Sequence, residues 1–169
     1  MTFNFIKLPE LDFDLKAETT EEGRRYVTPE GQKYPSVTTV LSSYNKKAIY
    51  EWRQRAGNEE ANKIAGRASR RGTQLHTLCE KYILGELTEM KRQSLMPLDK
   101  MMFGQMRPML DEHVGNVYCL EQALYSDGLR LAGRVDLIAE WDYELAVIDF
   151  KSSTKEKKES NIRNYFMQC

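Results

Sequence analysis

The chain has 169 residues, an apolar fraction of 41% and equal numbers of basic and acidic side chains, 25 of each. This suits one globular domain, and no apolar run approaches the roughly 20 residues that span a bilayer, so no membrane partner is expected. The acidic start from Met1 to Asp14 is unlike a secretory or transit signal, and Cys79, Cys119 and Cys169 form neither a disulfide framework nor a Cys-x-x-Cys pair, so a cytoplasmic location is expected.

In chain order, residues 1–33 read as an N-terminal arm, irregular or folded into a short hairpin, with a turn at Thr28-Pro29-Glu30-Gly31. The main domain is expected over 34–169. Pro35 to Leu41 admits a helix with its proline in the first turn, or a strand because of its β-branched residues. A helix from about Ala48 through Arg55 carries Trp52 and breaks at Gly57, and Asn58 is a suitable N-cap for a helix beginning Glu59-Glu60. Gly72-Thr73-Gln74-Leu75-His76 lies in or at the start of a helix reaching Leu84, with Gly85 as its stop. Another helix is expected from Pro97 to Val114, a strand meander from near Val117, and a last helix after Ser160.

Charge is segregated along this order. Lys46 to Arg92 carries eleven basic and six acidic residues, Asp111 to Asp149 nine acidic and two basic, and Lys151 to Cys169 five basic and two acidic. An acidic centre between basic segments suits a metal beside a polyanion, although charge runs are commonly solvated helix faces. Arg67, Arg70 and Arg71 are candidate phosphate contacts. Trp52 and nearby tyrosines would stack on bases or, equally, serve the core.

The meander carries the chemistry. Gly133-Arg134-Val135-Asp136 and Asp149-Phe150-Lys151 sit in two apolar runs joined by Trp141-Asp142-Tyr143-Glu144, a tight hairpin connection. Centring that hairpin between Asp142 and Tyr143 sets Asp136 opposite Asp149, a destabilising like-charge pair unless something binds it. Alternation puts Lys151 on the face of Asp149. Two carboxylates converging beside a lysine are naturally explained by a divalent cation. A second turn at Asp127-Gly128 places Glu121 opposite Asp136, unless a bulge at Gly133 shifts the register.

Taken together, Pro35-Ser36-Val37-Thr38, Trp52, Arg71-Gly72-Thr73-Gln74-Leu75-His76, Leu120-Glu121, Gly133-Arg134-Val135-Asp136 and Val147-Ile148-Asp149-Phe150-Lys151-Ser152-Ser153 resemble, in order and spacing, a PD-(D/E)XK nuclease of the RecB-like branch. The pattern is similar to the mitochondrial genome maintenance exonucleases and their bacteriophage relatives, and it covers about Tyr34 to the C-terminus. The resemblance implies a restriction-endonuclease-like α/β fold: a central mixed sheet with an antiparallel meander, flanked by helices. It implies that His76, Asp136, Asp149 and the backbone carbonyl of Phe150 bind Mg²⁺, with Mn²⁺ as a substitute, and that Lys151 is catalytic. Glu121 would bind a second metal, hold a water or tune Lys151. Ser36 and Thr38 would sit near the nucleic acid, or simply cap a helix. His113 has no such context and reads as structural.

The implied activity is a metal-dependent exonuclease acting on single-stranded DNA or free DNA ends. The alternatives are an endonuclease of the same fold and a catalytically weak nucleic-acid-binding module. Two departures stand out: Val135 replaces the proline of the family name, and the usual Gln-x-x-x-Tyr of the branch is incomplete. Gln168 stands where that glutamine belongs, as a further nucleic-acid contact, but Cys169 ends the chain before the tyrosine. The last helix is therefore expected to be cut short and to fray from about Asn161. The lack of four cysteines speaks against the iron–sulfur subgroup.

Overall fold

A computed structural model describes residues 2–154 and 162–168. Cys169 and the stretch 155–161, where fraying is expected to begin, lie outside them.

Prolines and glycines set most of the element ends. Pro9 opens a 3₁₀ turn, Pro9–Leu11. Within residues 2–33 the short hairpin is the alternative seen, with a third strand beside it. Strand β1 (Lys16–Thr20), β2 (Gly23–Val27) and β3 (Lys33–Pro35) form an antiparallel sheet in that order. The turn between β2 and β3 closes through the Thr28 N–H on the Gln32 carbonyl at 2.8 Å and the Gly31 N–H on the Thr28 carbonyl at 2.9 Å.

Helix α1 (Val37–Ala56) starts well before Ala48, because Ser36 caps it: Ser36 Oγ accepts the Thr39 N–H at 3.0 Å. A good cap outweighs the weak helix preference of Val37, Thr38 and Thr39. Gly57, with φ 79°, ends α1 and also takes the N-cap place of α2 (Asn58–Ile83), so Asn58 lies inside the helix and not before it. Gly66 and Gly72 do not interrupt α2, which runs as one helix to the turn at Gly85, φ 75°. A short α3 (Glu89–Gln93), capped by Thr88, precedes α4 (Pro97–His113).

The meander follows as β4 (Val114–Ser126), β5 (Leu131–Trp141) and β6 (Glu144–Ile148), with one described turn of helix, α5 (Arg163–Phe166), near the end. Asp142 and Tyr143, with φ of 52° and 70°, make the tight connection of β5 to β6; positive φ at both central residues matches the strand twist. The registers are those expected: Leu137 faces Ile148, and Gln122 faces Val135. The irregularities of β4 lie between Val114 and Cys119 and not at Gly133.

The chain is thus mixed α/β, but the expected central mixed sheet is not formed by the described residues. Both three-stranded sheets are antiparallel, and parallel pairing among the described residues is confined to two single bridges, Phe5 with Val117 and Ser36 with Ala132. The reason is local. Pro9 turns the chain just past the first bridge, and Ser36 is already a helix cap at the second.

The main core lies where α2 and α4 meet the meander: Leu75, Leu78, Tyr82 and Ile83 pack with Phe103 and Leu110 against Val117, Leu137 and Phe150. A smaller cluster, Leu15, Tyr26, Ala123 and Ala132, fastens the N-terminal sheet to the other end of β4 and β5. Each fully buried large side chain contributes about 1.5–3 kcal/mol, so the part of the meander carrying Asp136 is anchored by packing above and below.

Candidate functional site

The buried stripe of α2, Leu75 with Leu78, Cys79 and Tyr82, fixes the rotation of that helix and sets His76 at its edge. His76 Nδ1 lies 3.3 Å from Asp136 Oδ1 and 3.8 Å from Glu121 Oε1, and its ring meets Phe150 edge-on with centroids 5.9 Å apart. One nitrogen and two carboxylates from α2, β4 and β5 therefore converge, with candidate ligand atoms all within 4.8 Å of one another.

Each carboxylate is held by its strand. Asp136 is only 9% exposed; its Oδ2 accepts the Phe150 N–H at 2.7 Å, which leaves Oδ1 for His76. Glu121 has φ 50° inside a strand, a left-handed backbone costing roughly 1–2 kcal/mol in a non-glycine residue. Ladder pairs on either side, Leu120 with Leu137 and Gln122 with Val135, hold it there. Such strain collects at sites where direction of a side chain matters.

Asp149 follows β6 and has a different engagement. Lys151 Nζ approaches both of its oxygens at 2.5 Å, and Gln168 Nε2 donates to Oδ1 at 3.0 Å. Only Oδ1 receives well-directed hydrogen bonds, so Oδ2 is buried without a partner of that kind. The Lys151 ammonium also lies over the Tyr165 ring, 5.6 Å from its centroid.

The electrostatics follow from this packing. The facing carboxylates of Asp136 and Glu121, with the Phe150 carbonyl, favour the charged ring and push the His76 pKa up to about 10, against an opposing effect of burial. The imidazolium thus offsets one of the two carboxylate charges it faces and leaves the cluster acidic. Burial raises the Asp149 pKa, with Lys151 opposing it and the charge of Asp136 adding to it. Burial also pushes the Cys79 thiol up to about 12, leaving it a neutral core residue.

Other expected site residues scatter around this centre. A groove of about 410 Å³ runs from it between the N-terminus of α1 and the meander, with Arg24, Thr38, Arg134, Asp149 and Gln168 on its walls. Ser36, at 2% exposure, is a buried cap whose hydroxyl lies 3.0 Å from that of Thr38. Arg71 Nε donates to Ser152 Oγ at 3.3 Å and ties α2 to the loop after Lys151. Arg67 and Arg70 are exposed on α2, and Trp52 is half-buried on α1, outside both core clusters. His113 stacks on Trp141 at 4.8 Å and pairs with Asp142 at 2.8 Å, away from the site.

Two residues were given no site role from sequence, although Arg134 stands in the Gly133-Arg134-Val135-Asp136 stretch. Arg134 Nη1 is 3.7 Å from Glu121 Oε2; strand alternation from Asp136 was the signal for it. Tyr165 carries no such signal, since its place over Lys151 depends on how the C-terminal segment returns.

The described cluster is a nitrogen–oxygen donor set suited to a hard or borderline divalent cation, set beside a paired lysine and carboxylate. Compared with protein-family models and with curated proteins, the chain matches none.

Proposed function

We propose that this chain is a metal-dependent deoxyribonuclease that hydrolyses phosphodiester bonds as an exonuclease on single-stranded DNA or free DNA ends. The observation that carries the reading is the convergence of His76, Glu121 and Asp136 beside the Asp149–Lys151 pair, at the end of an open groove. The motif resemblance supplies the reaction class.

The donors fit Mg²⁺, with Mn²⁺ favoured by the imidazole. His76, on giving up its ring proton, would hold it with Glu121 and Asp136, and Asp149, with its incompletely satisfied Oδ2, is the next donor to hand. When bound, the cation supplies Lewis-acid neutralisation of the phosphate and of the leaving oxygen.

Hydrolysis joins a water oxygen to phosphorus, breaks one phosphorus–oxygen ester bond and returns a proton to the leaving oxygen. The Lys151 ammonium donates to the phosphate oxygens on which negative charge grows. Asp149 orients that ammonium through the 2.5 Å contact. Arg134, beside Glu121, and Arg67 and Arg70 farther along α2 supply cations for neighbouring phosphates.

The test is cleavage of end-labelled linear single-stranded DNA with Mg²⁺, Mn²⁺ or EDTA, beside a closed single-stranded circle. The expected result is metal-dependent shortening of the linear strand, an intact circle, and loss of cleavage in Asp149→Ala and Lys151→Ala. Cutting of the circle would make the chain an endonuclease. No metal-dependent product from either DNA overturns the reading.

A further inference from the structure

We infer that Tyr165 is a positioning residue for Lys151, its ring face holding the ammonium over the site when the Asp149 carboxylate turns to another cation. The inference rests on the nuclease reading of this site.

Lys151 stands on an exposed loop, at the end of a long stem that loses much rotamer freedom when fixed. Two described groups hold its ammonium: the Asp149 carboxylate at 2.5 Å and the Tyr165 ring at 5.6 Å. The carboxylate is contested. Gln168 already donates to the oxygen that accepts from Lys151, and any cation held by Asp136 draws on the same acidic cluster. A metal does not compete for the ring face, because a phenol face attracts an ammonium without offering a charged ligand to a divalent cation.

The C-terminal segment builds this arrangement in one turn. The Tyr165 N–H bonds the Ile162 carbonyl at 2.8 Å and the Gln168 N–H bonds the Tyr165 carbonyl at 3.0 Å. A spacing of three in such a turn puts both side chains on one side. The amide of Gln168 then meets the carboxylate while the ring of Tyr165 meets the ammonium. A site that spends Asp149 on a metal retains its lysine in place by this second contact.

The experiment compares Tyr165→Phe and Tyr165→Leu with the unaltered chain by two readouts. The first is the proton NMR shift of the Lys151 ε-methylene, without metal and with Mg²⁺. Ring current moves it upfield in the unaltered chain and in Tyr165→Phe under both conditions, and Tyr165→Leu abolishes the displacement. The second is cleavage of linear single-stranded DNA, in which Tyr165→Leu lowers kcat about fivefold with KM held, while Tyr165→Phe restores it. An undisplaced Lys151 signal in the unaltered chain, an unchanged kcat in Tyr165→Leu, or a rise in KM alone overturns the inference. An unaltered chain that cleaves nothing overturns the nuclease reading instead.

Discussion

At Asp136 one carboxylate oxygen accepts the Phe150 N–H at 2.7 Å while the other faces His76 at 3.3 Å, so a single side chain joins β5, α2 and the loop that carries Lys151. Asp136→Ala removes the acceptor of a buried N–H and leaves the imidazolium with Glu121 alone. A loss of about 2–4 kcal/mol is expected from unpairing such groups. Asp136→Asn keeps an acceptor for Phe150 and should lose less. Urea denaturation without metal checks both, and an alanine variant within about 0.5 kcal/mol of the unaltered chain would contradict the network. A second residue gives a pH dependence away from the site. The hydrogen bond to Asp142 raises the His113 pKa above its ordinary 6.5. Folding thus favours the protonated ring; this stabilisation is complete below pH 6.5 and is lost as pH rises through the folded value. In His113→Gln the melting temperature should lose that part of its pH dependence, as thermal melts on either side of pH 6.5 would show.

Among the elements, what was legible in the sequence was what local chemistry decides. The two β-turns fixed the registers of β4, β5 and β6, because a one-residue slip would turn every apolar side chain outward. The pairs flanking Glu121 and Asp136, Leu120 with Leu137 and Gln122 with Val135, could therefore be placed from their numbers alone. The extent of α1 could not, since Val37, Thr38 and Thr39 favour a strand unless Ser36 is recognised as their cap. Nor could the engagement of Asp149, because Gln168 reaches it from a distant segment. The Ser36 cap itself is testable. Ser36→Ala frees the Thr39 N–H and should lower stability by about 1–2 kcal/mol. Because its hydroxyl is buried in bonds to Thr38 and Thr39, DNA affinity below the melting transition should be unchanged. A selective loss of affinity in a filter-binding assay would make Ser36 a nucleic-acid contact instead. Gly23→Ala strikes the same corner from β2. Gly23 has φ 125°, and an added Cβ would lie 2.4 Å from Thr39 Cγ2. Strain and clash together should cost more than Gly57→Ala, where φ is 79° but the space is open. Denaturation midpoints would rank the two.

On the scale of the molecule, packing and charge divide differently. The buried residues gather around α4, the C-terminal half of α2 and the meander, whereas α1 buries none of its side chains and leaves Tyr44 at 74% and Tyr50 at 63% exposure. The same exposed region carries Lys46, Lys47, Arg53 and Arg55 on α1 and Arg67 and Arg70 on α2, while the acidic residues concentrate in the meander. A polyanion meeting this molecule is attracted to the helices and repelled by the carboxylate cluster unless a cation covers it. Binding should therefore show two separable dependences: on added salt through the helices, and on divalent metal through the site. For single-stranded DNA each lost phosphate contact reduces the slope of log affinity against log salt by about 0.7. Arg67→Ala combined with Arg70→Ala should flatten the slope by about 1.4 in fluorescence anisotropy titrations. Both side chains are exposed, so the folded state should be undisturbed. Asp149→Ala should leave the slope nearly as it was and remove cleavage. An unchanged slope in the double variant would take Arg67 and Arg70 out of the nucleic-acid path and leave the cations of α1, with Arg24 and Arg134 on the groove walls, to guide the strand.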